Sequence, residues 1–259
     1  MLVQEKHRGM VCNVFLREKP KLRDPVLIEG LPGIGFVANI AALHLIRELK
    51  ASLFAEIHCS SFQDFAVTAE KGQARYPNNE LYYYKGKREE RDLIILYGNT
   101  QALTTMGQYE LCGRILDASH ELGCRTVMTL GGLKKEQRIE KPALYFAASD
   151  KETANQLSGM GVEAIKGQIF GVAGLLVGIG RLREFRGFCL LAETLGLYPD
   201  GVATREVLSV VCNILNLKLN LENIDDTVEV MRNHLEDFGL LDKPLGDRRK
   251  DESQFRWVV

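Results

Sequence analysis

Short apolar runs alternate along this chain with longer stretches whose apolar residues recur every three or four positions, a pattern that predicts buried strands joined by amphipathic helices. Val26 to Ile28 is a run without period-two alternation, as parallel strands tend to be, and the spacing after Gly35 predicts a helix through Leu49. Leu53 to His58 reads as a second strand, Phe65 to Thr68 and Leu81 to Tyr84 as weaker ones, and Leu93 to Tyr97 as a clear one. Thr105-Met-Gly-Gln108 fits a capping box, and Met106, Tyr109, Leu116 and Leu122 predict the apolar stripe of the helix that follows, stopped at Gly123. Thr126 to Leu130, ending at Gly131-Gly132, then Ala143 to Ala148 and Phe188 to Ala192 complete the strands, with a helix started by Asp150. Two amphipathic helices, Thr204 to Leu217 and Asn223 to Phe238, follow.

This order predicts an α/β fold: a mostly parallel sheet with helices on both faces, two C-terminal amphipathic helices and a flexible tail. Residues 1–25 read as an N-terminal extension and 26–238 as a single α/β domain. Residues 239–259 read as a charged tail with a hydrophobic tip.

Composition narrows the function classes. With 33 basic and 34 acidic residues and no long basic block, a nucleic-acid partner is not expected. The longest apolar run, Ile169 to Gly180, is too short for a bilayer, so no membrane role is expected. The six cysteines are scattered, without a Cys-x-x-Cys pair, and read as reduced thiols of a cytoplasmic protein.

Candidate chemistry lies where parallel strands end, because ligands collect beyond their carboxyl ends. The residues there are Gly30, Gly33 and Gly35, then Asn99 and Gln101, Gly131 and Gly132, and Glu193. They read either as tight turns with a solvated acid or as one cleft with converging N–H groups, a small-molecule or nucleotide site with Gln101 or Glu193 as its polar handle. The glycines run G-x-x-G-x-G, not the dinucleotide order G-x-G-x-x-G, and no triphosphate loop, nucleophile elbow or metal-binding histidine pair is present, so neither catalytic residues, metal nor cofactor is expected. Gly171, Gly174 and Gly178 predict either a close helix approach or a second loop over the same cleft. Phe255, Trp257, Val258 and Val259, at the end of a charged tether, read as a peptide that docks on a partner or folds back.

Glu29-Gly-Leu-Pro-Gly-Ile-Gly35 with Ala41 to Leu45, Tyr109-Glu-Leu with Ile115 to Ala118, Thr129 to Gly132, Gly171 to Gly178, and Cys189 to Thr194 resemble, in order, the proteasome assembly chaperone family in its archaeal branch. The resemblance implies a phosphorylase/hydrolase-like α/β fold, a homo-oligomer, and a non-enzymatic role helping proteasome α subunits assemble. It also implies a C-terminal hydrophobic-Tyr-any tripeptide that enters pockets between α subunits. Here the chain has Trp257 and a terminal carboxylate, but Val258 stands where the tripeptide has tyrosine.

Overall fold

The structure, a computed structural model, describes residues 3–4, 11–68, 72–137 and 141–237. The sheet forms around β3 (Val26–Gly30), which pairs in parallel with β8 (Leu93–Gly98) on one side and β9 (Thr126–Lys134) on the other, and β9 pairs in parallel with β12 (Arg186–Thr194). Val26, Leu27, Ile28 and Leu93 to Leu96 are all fully buried. Successive side chains point to opposite faces, so both faces need a helical cover, and that is why these strands read as unbroken apolar runs. Burying each such aliphatic side chain contributes about 1.5–3 kcal/mol.

One face is covered by α1 (Val37–Leu49), α3 (Lys151–Gly159), α5 (Gly201–Leu215) and α6 (Ile224–Asp237), packed on Ile28, Ile95, Leu130 and Leu190. The other is covered by α2 (Thr105–Glu121) and α4 (Gly171–Leu182), packed on Leu27, Ile94, Leu96 and Val127. Helices on both faces of the sheet are what the apolar pattern predicts.

The flanks are antiparallel. β2 (Cys12–Leu16), β4 (Ser52–Cys59) and β7 (Asn79–Tyr84) continue from β8, with β1 (Val3–Gln4) on β2, and β10 (Leu144–Ala148) runs antiparallel to β12 with β11 (Glu163–Ala164) beside it. For β7 and β8 the reason is connection length. Residues 85–92 join β7 to β8 as a hairpin held by Asp92 Oδ1 accepting from Gly86 N–H at 2.8 Å, and a parallel return needs a crossover of a dozen residues or more. β5 (Val67–Thr68) and β6 (Ala74–Arg75) form a separate small ribbon. The strand Cys12–Leu16 lies ahead of Val26 yet is part of the same sheet.

Three expectations are corrected. Cys12 and Cys59, directly opposed on β2 and β4, form a disulfide, so the six cysteines are not all thiols; Cys112, Cys124, Cys189 and Cys212 are free. The cap of α2 is Thr104, one residue earlier than the capping-box reading: its Oγ1 accepts from Gly107 N–H at 3.1 Å and bonds Ser61 Oγ at 2.7 Å. The buried stripe of α2 is Leu111, Cys112, Ile115, Leu116 and Ser119, leaving Met106 and Tyr109 68 % and 54 % exposed on the outer side. Gly123 does stop the helix with φ +85°, and Asp150 does cap α3, accepting from Thr153 N–H at 2.9 Å. No described helix is long and apolar enough to cross a membrane.

Candidate functional site

The strand-end glycines have separate structural reasons. A Cβ at Gly30 would lie 2.1 Å from Ala42 Cβ, so this glycine lets α1 press against β3. Gly35 has φ +65°, and a Cβ there would meet Thr194 Oγ1 at 2.7 Å. Gly33 is extended (φ −157°) with open space around it. Asn39, which motif reading passed over, pins this turn by donating from Nδ2 to Gly30 O at 2.8 Å and to Gly98 O at 2.9 Å.

Gly131 and Gly132 are not in a loop. β9 runs on through them to Lys134, pairing them with Leu191 and Ala192, and the space a Gly132 side chain would take is held by Ile34 O at 2.3 Å. Asn99 is spent on Asn78, accepting its N–H at 3.0 Å and donating its own backbone N–H to Asn78 O at 3.3 Å.

Gln101 acts as a clamp. It donates from Nε2 to Pro32 O at 2.6 Å and accepts from Val172 N–H at 3.2 Å, tying the glycine turn to the first turn of α4. Glu193 is engaged on the β10 side: Oε1 accepts from Tyr145 OH at 2.9 Å and pairs with Lys135 Nζ at 2.8 Å, and Oε2 accepts from Ala143 N–H at 3.2 Å. The bond from Lys135, more than any other contact, holds this carboxyl below the usual range. Gln101 and the Gly30 to Gly35 turn are thus brought together, whereas Asn99 and Glu193 are turned to their own neighbours.

Other helix starts at this end are closed in the same way. Asp200 Oδ1 accepts from Ala203 N–H at 2.9 Å at the start of α5, while its Oδ2 accepts from Thr194 OH at 2.6 Å. Of the three α4 glycines, Gly171 has φ +76° and Gly174 lets Ile169 O approach to 2.2 Å of a would-be Cβ, but Gly178 faces open space. His44 is buried between Thr227 Oγ1 and Asn220 O, each at 3.0 Å, and burial pulls its imidazole below the usual range. Among the described residues no three His, Cys, Asp or Glu side chains gather to hold a metal.

Glu29 is the group with the most unusual environment. It lies in the central strand, 1 % exposed, with Oε1 accepting from Leu31 N–H at 2.8 Å and Oε2 without a hydrogen-bond partner among the described residues. Burial pushes its carboxyl up to about 8, so it stands as a neutral acid at pH 7. An acidic residue in the buried strand, directly after the apolar run Val26 to Ile28, is the signal that could have singled it out.

What the strand ends do present is apolar surface. Ile34, Leu197, Tyr198 and Val202 stand exposed around the glycine turn, with Ile34 Cγ2 against Gly196. Leu103, two residues after Gln101, and Phe170, two residues before Val172, are exposed too, the latter 82 %. Met106 and Tyr109 on α2 and Leu182 at the end of α4 are exposed as well. Large exposed apolar groups in one region mark a contact surface more often than a reaction site. The tail residues Phe255, Trp257, Val258 and Val259 lie outside the described residues.

A Pyrococcus furiosus protein described as PbaB, an archaeal proteasome activator, is similar in structure, with a TM-score of 0.79 and 36% identity over 88% of this chain and 98% of that one. PbaA of the same organism, described as an archaeal homolog of proteasome-assembly chaperone, gives a TM-score of 0.70 and 25% identity over 86% of this chain and 94% of that one. The uncharacterized protein MJ1210 of Methanocaldococcus jannaschii is 35% identical over 217 residues, 83% of each chain. The sequence pattern of the PAC2 family matches residues 27–238, nearly the whole described fold, and the chain belongs to the PAC2 family.

Proposed function

We propose that this protein is a non-enzymatic assembly factor that works as a homo-oligomer and binds proteasome α subunits, with the strand-end apolar surface and the tail residues Phe255, Trp257, Val258 and Val259 as its contact elements. One observation carries the reading: the polar groups of the strand-end cleft are consumed by the protein itself, Gln101 by Pro32 and Val172 and Glu193 by Lys135 and Tyr145, while the apolar groups around them are left outside. A catalytic cleft needs the reverse, polar groups free to meet a substrate in a sheltered pocket. The relatives described as a proteasome activator and as a homolog of proteasome-assembly chaperone support the choice of client.

Sedimentation of the full-length protein with purified proteasome α subunits tests this. A complex is expected, weakened when Phe255 to Val259 are deleted and weakened again by Phe170→Asp with Leu197→Asp. Absence of any complex with the full-length chain overturns the role. A complex indifferent to all of these changes overturns the contact elements.

A further inference from the structure

A groove of about 460 Å³ opens between α6 and the sheet, floored by β4, β7 and β8 and bordered by Asn39, the residue that pins the glycine turn. The ladder sets Glu56 of β4 opposite Glu80 of β7, and Glu80 opposite Tyr97 of β8, in one row across the floor. Two carboxylates facing each other on adjacent strands repel. Arg17 answers Glu56, donating from Nε at 2.9 Å. The hydrogen-bond partner of Glu80 among the described residues is the Tyr82 hydroxyl, at 2.7 Å, which removes no charge. Arg75 is the one cation among the residues lining the groove, and Tyr76 stands 52 % exposed beside it.

The facing wall is apolar: Leu43 of α1, and Met231 and Leu235 of α6. Helix α6 ends at Asp237, two residues past Leu235, so the chain leaves this helix at the rim of the groove. The next thirteen residues, 238–250, contain Phe238, Leu240, Leu241 and Leu245, and four basic residues against two acidic. Their composition matches the groove twice, apolar groups for the α6 wall and tyrosine floor and cations for the carboxylate row. Fully extended they would reach about 40 Å, so length sets no obstacle.

We infer that the groove seats residues 238–250 of the same chain, with a basic side chain of that segment on Glu80. Cation and carboxylate then meet on a partly dry tyrosine floor, where the pair is screened less than at an open surface. Rooted there, the tail presents residues 251–259 from one place on the molecule and raises their local concentration there. The inference concerns the root of the tail and stands whether or not the tip binds a proteasome subunit.

Carbodiimide coupling of the full-length protein, which joins a lysine to a touching carboxylate, followed by peptide mass spectrometry, reads the contact. Lys243 or Lys250 should join Glu80 or Glu56, and in a mixture of isotopically heavy and light protein the joined peptides should come from one chain. Arg248→Glu with Arg249→Glu leaves both lysines and the sheet untouched, and should cut the yield of these links about tenfold at low salt. Links mainly between heavy and light chains would give the groove to a second copy's tail and overturn the inference. So would tail lysines joined indiscriminately to surface carboxylates, or a yield unmoved by the double substitution.

Discussion

Gln101 Oε1 accepts the backbone N–H of Val172 at 3.2 Å, so a side chain just past β8 caps a helix 71 residues later. Phe170 leaves α4 without a side-chain cap of its own, and Gln101 supplies the missing acceptor while also holding Pro32. Gln101→Ala removes both bonds. It should destabilise the protein by about 1–3 kcal/mol, read by urea unfolding, and Gln101→Glu should restore only the acceptor half.

The glycine turn makes a contrast that two alanines can test. Gly35→Ala places a methyl group 2.7 Å from Thr194 Oγ1 in a left-handed backbone, and a loss of about 1–3 kcal/mol is expected. Gly33→Ala meets nothing within 4 Å in an extended backbone, and its effect should stay within about 0.5 kcal/mol. Equal losses in thermal unfolding would contradict the separate reasons given for the two glycines.

Glu29 ties stability to pH. Its carboxyl titrates near 4.5 in the unfolded chain and is pushed up to about 8 when buried, so the native state holds a proton that the unfolded chain releases. The contribution is complete below pH 4.5 and is lost as pH rises to about 8, a change on the order of 5 kcal/mol. Glu29→Gln keeps the shape without the charge. Its unfolding free energy should be flatter across that window, with the gain over wild type largest at the alkaline end.

The disulfide between Cys12 and Cys59 closes a loop with a sequence separation of 47. Replacing both with serine frees the unfolded chain, and a loss of about 2–4 kcal/mol in unfolding free energy is expected, read as a lower denaturant midpoint. A reductant should bring the wild type to the same midpoint as the double variant and leave the variant unmoved.

How much of this was readable from the residues depended on whether a local signal matched the final neighbours. Leu93 to Leu96 and Val26 to Ile28 announce central strands because burial on both faces needs no partner to be known. The two C-terminal helices show through their apolar stripes, Val207, Val211 and Leu215 on α5 and Ile224, Met231 and Leu235 on α6. Met106 and Tyr109 mislead because apolar residues on an outer face look like core residues until the opposite stripe, Leu111 to Ser119, is seen buried. Gly131 and Gly132 look like a turn, and only their pairing with Leu191 and Ala192 reveals a strand. The Cys12 to Cys59 bond depends on strand order, which spacing alone does not contain. Gln101 was legible as a polar residue at a strand end, but its service to Pro32 and Val172 was not, since both partners are remote in sequence.

The far edge of the sheet carries a further consequence. Strand β11 is two residues long, so it exposes too few free backbone groups to template a neighbouring strand. Copies of this molecule therefore cannot propagate by stitching sheet to sheet from that side. Any association there has to come from side chains meeting side chains, a kind of grip that can be released without unravelling either participant.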